Sequence, residues 1–211
     1  TNGSTGGTGS TNTDTSGTNS LSNMSVWFDD ALPLGAVPDW NVDTWNWTAT
    51  GPYPESGTRA HQSATAAGVH QHFFTSAVQT MTVNSGDALY TYVYIDPANV
   101  PSEMMLQWND GTTWNHRAYW GANSIVMGTD GTTSRHYMGS MPQAGQWVQL
   151  QVPASAVALE GSTVSGMAFT LYDGKVTWDN TGKGTLNAAT SGGGTTPPGG
   201  TGGTTTGGTN S

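Results

Sequence analysis

An all-β fold, two antiparallel sheets packed as a jelly-roll β-sandwich, is what this sequence predicts, and three observations carry the prediction. About a dozen short segments alternate apolar and polar residues with a period of two. Polar turns rich in Gly, Asn, Asp and Pro separate them ("SGD", "DPANVP", "NDGT", "TDGT", "PQAG", "YDG"). No segment longer than two helical turns carries a helical period. Short strands joined by polar turns bury their apolar faces most simply against a second sheet.

In chain order the strand candidates are 24–30 (MSVWFDD), 44–48 (TWNWT), 69–75 (VHQHFFT), 79–84 (QTMTVN), 88–96 (ALYTYVYID) and 103–109 (EMMLQWN). The series continues with 113–121 (TWNHRAYWG), 124–128 (SIVMG), 134–139 (SRHYMG), 146–153 (QWVQLQVP), 166–174 (GMAFTLYDG) and 175–180 (KVTWDN). One short helical turn is expected within PASAVALEG, residues 153–161. Residues 1–23 and 188–211 are Thr, Gly, Ser and Pro tracts with too little apolar content to offset the entropy of ordering a backbone. They read as flexible linkers flanking one β-sandwich domain at 24–187, a module expected to sit within a longer, exported protein.

Composition removes several classes of partner. The 211 residues carry a formal charge of −9, only five Lys plus Arg, and 9% charged residues in all. So few cations cannot line a phosphate backbone or an anionic bilayer, so neither nucleic acid nor membrane insertion is expected. Cysteine is absent. A surface built of Ser, Thr, Asn, Gln and Gly with nine Trp and seven Tyr suits a neutral polar ligand instead. Sugars are such ligands: the C–H face of a pyranose stacks on an aromatic ring while its hydroxyls meet amides, imidazoles and guanidinium groups.

Strand parity then nominates residues. On 88–96, Leu89, Val93 and Ile95 form an apolar face, which turns Tyr90, Tyr92 and Tyr94 outward or into a groove. Trp45 and Trp47 share a face in the same way. In the hairpin 103–121, Met104, Leu106 and Trp108 face one way and Met105 and Gln107 the other. Its second strand divides into a half-buried set (Trp114, His116, Ala118, Trp120) and a solvent-facing set (Asn115, Arg117, Tyr119). Arg117 is expected to pair a carboxylate, lie on a ring or contact a ligand. The candidate carbohydrate contacts are Tyr90, Tyr92, Gln107, His116, Arg117, Tyr119, Trp120 and His72. Trp27, Trp147 and Trp178 are assigned to packing.

The stretch 60–74 holds three of the five histidines. Parity puts His70, His72 and Phe74 on one face, with Val69, Gln71 and Phe73 opposite. Such a His-x-His pair can chelate Zn or Cu given a third ligand from His61, His116 or His136. No acidic residue in the stretch orients the rings, and no zinc-protease spacing occurs. Hydrogen bonding within the sandwich or to a sugar is therefore the first expectation, and a histidine-centred metal-dependent enzyme the second.

The strings FDDALPLGAVP, SGTRAHQSATAAGVHQHFF, LYTYVYIDPANVPSEMMLQWNDGTTWNHRAYWG, WVQLQVPASAVALEG and GMAFTLYDGKVTWDNTG resemble a domain embedded repeatedly in large bacterial extracellular and surface proteins. That domain is similar to laminin-G or concanavalin-like jelly rolls, the architecture of many carbohydrate-binding modules. The resemblance covers residues 26–182 and implies a secreted or cell-surface location. It also implies a structural Ca²⁺ where the first and last strands meet, with Asp29, Asp30 and Asp179 as ligands; calcium takes six to eight hard oxygens, which carboxylates, carbonyls and water supply.

The resulting expectation is a non-catalytic module that binds polysaccharide or glycan by stacking and neutral hydrogen bonds, joined to neighbouring domains by its linkers. No nucleophile elbow, phosphate loop or dinucleotide fingerprint is present. A structural or adhesive spacer that binds no sugar is the rival reading.

Overall fold

Strands β5 (Ala66–Thr75) and β14 (Val176–Leu186) are the longest in the molecule, and each lies inside one of two six-stranded sheets. The computed structural model describes residues 20–187; residues 1–19 and 188–211, most of the two expected linkers, lie outside the described residues. The first sheet runs β11 (Trp147–Pro153), β7 (Asp87–Ile95) and then β14. The far edge of β14 is shared end to end by β1 (Leu21–Phe28) and β4 (Ala60–Gln62), with β3 (Asn46–Thr48) outside β4.

The second sheet runs β10 (His136–Gly139), β9 (His116–Gly121), β8 (Glu103–Asn109), β13 (Gly166–Gly174), β5 and β2 (Val37–Asn41). A small ribbon pairs β6 (Met81–Thr82) with β12 (Thr163–Val164). Pairings between named strands are antiparallel except β9 with β10. The expected helical turn exists as a single 3-10 turn, Ala154–Val157.

Period-two alternation builds the core as read from sequence. Leu89, Val93, Ile95 and Trp178 of the first sheet pack against Met104, Leu106, Trp108, Met167, Phe169 and Leu171 of the second. Burying that apolar area is the main favourable term in folding.

Three expectations need correction. Residues 124–128 form no strand; they belong to a loop, and only Ile125 of them is buried, against Met105 and Tyr119. Trp147 is half-exposed on the outer face of the first sheet, edge-on to Tyr94 at 5.8 Å, so it is no core residue, whereas Trp27 and Trp178 are. Strand β1 begins at Leu21, within the 1–23 tract read as linker, because Leu21 and Ser22 find partners in Leu186 and Thr185.

Candidate functional site

The outer face of the second sheet carries a recess whose floor is written by strand register. Phe73 lies opposite Ala168, Ala168 opposite Gln107, and Gln107 opposite Arg117, one row across four strands. In that row only Ala168 is small. A methyl group between a phenyl ring and an amide leaves a hollow of about 210 Å³. The next row contributes Gln71 and Thr170.

Two loops raise the walls. Trp114 precedes β9 and meets Phe73 edge-on, ring centroids 6.0 Å apart. Met127 stands on the other side, carried by the loop between β9 and β10. Glu103 anchors that loop by accepting the backbone N–H groups of Ser124 and Ile125, while Arg135 donates to the Ile125 carbonyl at 2.8 Å and Tyr119 donates to Asp130 at 2.7 Å. Burial and the Asp130 bond push the Tyr119 hydroxyl up to about 12, so it stays a donor. At Gly128 (φ +82°) the loop passes so close to the Ser134 carbonyl oxygen that any side chain would strike it.

Arg117 sets the direction of the hydrogen bonds across the floor, because a guanidinium only donates. Its Nε donates to Gln107 Oε1 at 2.7 Å. The Gln107 amide nitrogen therefore points the other way, donating to Thr170 Oγ1 at 2.7 Å and Gln71 Oε1 at 3.2 Å. Thr170 donates in turn to Gln71 Oε1 at 2.9 Å. Arg117 Nη1 donates to Asn115 Oδ1 and the Ser134 carbonyl at 3.2 and 3.1 Å. Among the described residues Gln71 Nε2 and Arg117 Nη2 have no partner, and neither is sealed from solvent. Burial lowers the Arg117 pKa from its ordinary 12.5. Of the three alternatives expected for Arg117, neither the salt bridge nor the ring contact is found among the described residues.

No family model matches the chain, and no curated protein does. Among solved structures, the chain is similar to carbohydrate-binding modules described as of the β-sandwich superfamily, at 10% identity and TM-score 0.47, covering 76% of this chain and 61% of that one. A xylan-binding domain from Paenibacillus barcinonensis matches at 13% identity and TM-score 0.43, covering 79% and 97%. The glycoside hydrolase domain of Endo-D from Streptococcus pneumoniae R6 matches at 7% identity and TM-score 0.43, covering 71% of this chain and 21% of that one. The chain thus spans less than two thirds of the first and about a fifth of the last.

Of the eight expected sugar contacts, the structure brings Gln107 and Arg117 together in the groove and places Tyr119 beneath its wall. Three others turn inward. His72 is fully buried, Trp120 belongs to the core, and His116 donates from Nδ1 to the Val157 carbonyl at 2.7 Å with Asp110 3.4 Å from its other nitrogen. Parity had put His116 and Trp120 on the same face as Ala118, and that face is the core. Tyr90 and Tyr92 lie on the opposite sheet; Tyr90 is 2% exposed, its hydroxyl on Asn180, and Tyr92 accepts from Gln149. Gln71, Phe73, Trp114, Thr170 and Met127 were missed. The alternation that sends His70 and His72 inward sends Gln71 and Phe73 outward, a signal present in the sequence. Trp114 precedes its strand, where parity has no force.

His61, His70 and His72 are all sealed between the sheets. Asp43 accepts from His70 Nδ1 at 2.9 Å, while His61 Nδ1 and His72 Nε2 lie 2.9 Å apart. Aromatic rings surround the pair: Trp45 is 4.6 Å from His72 and Phe169 is 4.5 Å from His61. Sealed behind aromatic side chains, these rings are out of reach of a substrate in solution, which does not favour the histidine-centred enzyme.

The three aspartates separate into two roles. Asp30 is half-buried, and Thr58 and Arg59 N–H groups donate to it at 2.7 Å, which lowers its pKa. It caps a loop. Asp179 Oδ2 accepts from the backbone of Glu55 and Ser56 at 2.8 and 3.0 Å, and Asp29 Oδ2 accepts from Ser56 Oγ at 3.1 Å. Asp29 Oδ1 is buried without a partner. Burial, with the Asp29 carboxyl beside it, pushes Asp179 up to about 7. An orphaned buried oxygen next to a second carboxyl fits a cation; Asp30, its oxygens already engaged, does not. Among the described residues no group of three His, Cys, Asp or Glu is placed to hold a metal, so backbone and water would supply the remaining oxygens.

Proposed function

We propose that this chain is a non-catalytic glycan-binding domain whose site is the groove on the outer face of the second sheet. The observation that carries the proposal is the pairing of an aromatic wall, Phe73 and Trp114, with a floor of outward-pointing N–H donors, Gln71 and Arg117. A sugar ring offers a C–H face to the wall and oxygens to the floor. The hollow of about 210 Å³ suits a single pyranose, so recognition centres on one residue of a chain. Glycoside hydrolysis needs two carboxyls flanking the bond, and the residues lining the groove include none.

The proposal extends to a secreted or cell-surface setting and to a structural cation held by Asp29 and Asp179. That ion would neutralise two neighbouring carboxylates and tie the first strand to the last; it would take no part in sugar contact.

Affinity electrophoresis and calorimetry against soluble neutral and acidic polysaccharides test the reading. Retention on at least one, weakened roughly tenfold by Trp114→Ala, is the expected result. Folded protein retained by none would leave a spacer domain.

A further inference from the structure

We infer that the sugar taken by this groove is acidic: a uronic-acid residue whose carboxylate is received by Arg117 Nη2 and Gln71 Nε2. The inference rests on the glycan reading above and narrows it to a ligand class.

Two independent observations point there. The first is charge. Lys183 pairs with Asp87 at 2.6 Å, and Arg135 lies 3.9 Å from Asp130. Arg59, Lys175 and Arg117 have no carboxylate partner among the described residues, but Arg59 is exposed and Lys175 half-buried, whereas Arg117 is only 9% exposed. A cation taken this far from water without a counter-charge is costly unless something else brings the negative charge. It opens on the groove, so a ligand can bring it.

The second is hydrogen-bond polarity. Because Arg117 can only donate, its bond to Gln107 forces both glutamine amides into one orientation: Gln107 Oε1 already accepts one bond, Gln71 Oε1 two, and the Thr170 hydroxyl hydrogen is spent on Gln71. What remains facing the groove is donors: the hydrogens of Gln71 Nε2 and of Arg117 Nη2. A sugar hydroxyl is both donor and acceptor, and on this floor its hydrogen would have to share an oxygen that already accepts a bond, while the unpartnered groups are all donors. A carboxylate is acceptor only and meets every free donor with charge-assisted bonds. Neutral stacking explains the wall; it leaves this one-signed floor unexplained.

The test is calorimetric titration of the full chain with a panel of oligouronates (galacturonate, glucuronate, mannuronate and guluronate), their carboxyl-reduced neutral counterparts, and a sulfated oligosaccharide. At least one uronate is expected to bind about 10- to 100-fold more tightly than its reduced form. Gln71→Glu, isosteric and able to keep the bonds to Gln107 and Thr170, puts a carboxylate into the groove that Arg117 lines and should abolish that preference. Arg117→Met should do the same, with thermal unfolding as its control for folding; were it to unfold, Gln71→Glu and the wild-type preference still decide. Equal binding of acidic and reduced sugars, unaltered by Gln71→Glu, would overturn the inference while the glycan reading stands. Preference for the sulfated sugar over all uronates would overturn the carboxylate assignment. Binding of no sugar by folded protein would remove the glycan reading and this inference together.

Discussion

His61 and His72 face each other across 2.9 Å inside the sandwich, and one proton must serve both nitrogens. Were both rings protonated, two N–H groups would collide. Burial, helped by the neighbouring ring, lowers the pKa of His61 well below 6.5. Burial lowers His72 too, although Asp43, whose Oδ2 stands 3.7 Å from its Nδ1, pulls the other way. His70 is the opposite case: burial would lower it, but the bonded Asp43 carboxylate outweighs that and raises it. The signs then separate. As pH falls through 6.5 the unfolded chain protonates His61 and His72 while the folded chain resists, so stability is lost from there downward. His70 contributes fully below 6.5, and its share is lost as pH rises through its raised folded value. Each histidine held neutral can cost up to about 1.4 kcal/mol per pH unit below 6.5. Denaturant unfolding at pH 7.5 and 5.5 should show a smaller acid loss for His61→Phe than for the wild type. An identical loss would show that this pair does not set the acid limit.

At the scale of the strand, the groove depends on Ala168 of β13 being small between Phe73 and Gln107. Ala168→Leu would project a branched side chain into the hollow while the inward residues of β13, Met167 and Phe169, stay untouched. Sugar binding should fall at least about tenfold, with stability changed by roughly 1 kcal/mol or less; unchanged affinity would place the site elsewhere, and the half-exposed Tyr92, Tyr94 and Trp147 on the first sheet would be the next face to examine. Period two made the faces of β7, β8, β9 and β13 legible in advance, and with them most of the core. It could not say which outward face becomes a site. Gln107 and Arg117 were nominated for their chemistry, yet the partners that aim them, Gln71 and Thr170, come from strands distant in sequence, and Met127 from a loop whose apolar SIVMG resembled a strand. His116 and Trp120 erred by the same cause: their type suited a sugar, and a half-buried face was read where the core lies. Three-residue β4 and two-residue β12 are too short for alternation to register at all.

Across the whole molecule, the first strand closes on the last: β1 pairs with β14 from Leu21 with Leu186 to Phe28 with Thr181. Beyond that last pair the two segments carry Asp29 and Asp179, and the segment at Glu55 and Ser56 bonds to both carboxyls. Three parts of the chain distant in sequence thus converge on two acids and one unpaired buried oxygen. Left alone, that arrangement opposes closure, since like charges and a desolvated oxygen both disfavour it. A Ca²⁺ ion would reverse the sign by binding only the closed sandwich. Ligand linkage then fixes the size of the effect: at a hundredfold excess over its dissociation constant the ion adds about 2.7 kcal/mol, which for a domain of this length raises the melting temperature by roughly 5–10 °C. Asp29→Asn removes one charge and gives the buried site a donor toward Asp179. Metal-free, this variant should melt at or above the wild type; with calcium added it should gain nothing. The pair of responses is what identifies a cation site, because a merely structural Asp29 would lower stability on substitution whether or not calcium is present. A wild-type melting temperature unmoved by millimolar calcium, after chelator treatment, would assign the two carboxyls to the hydrogen bonds that hold the Glu55–Ser56 segment and to nothing more.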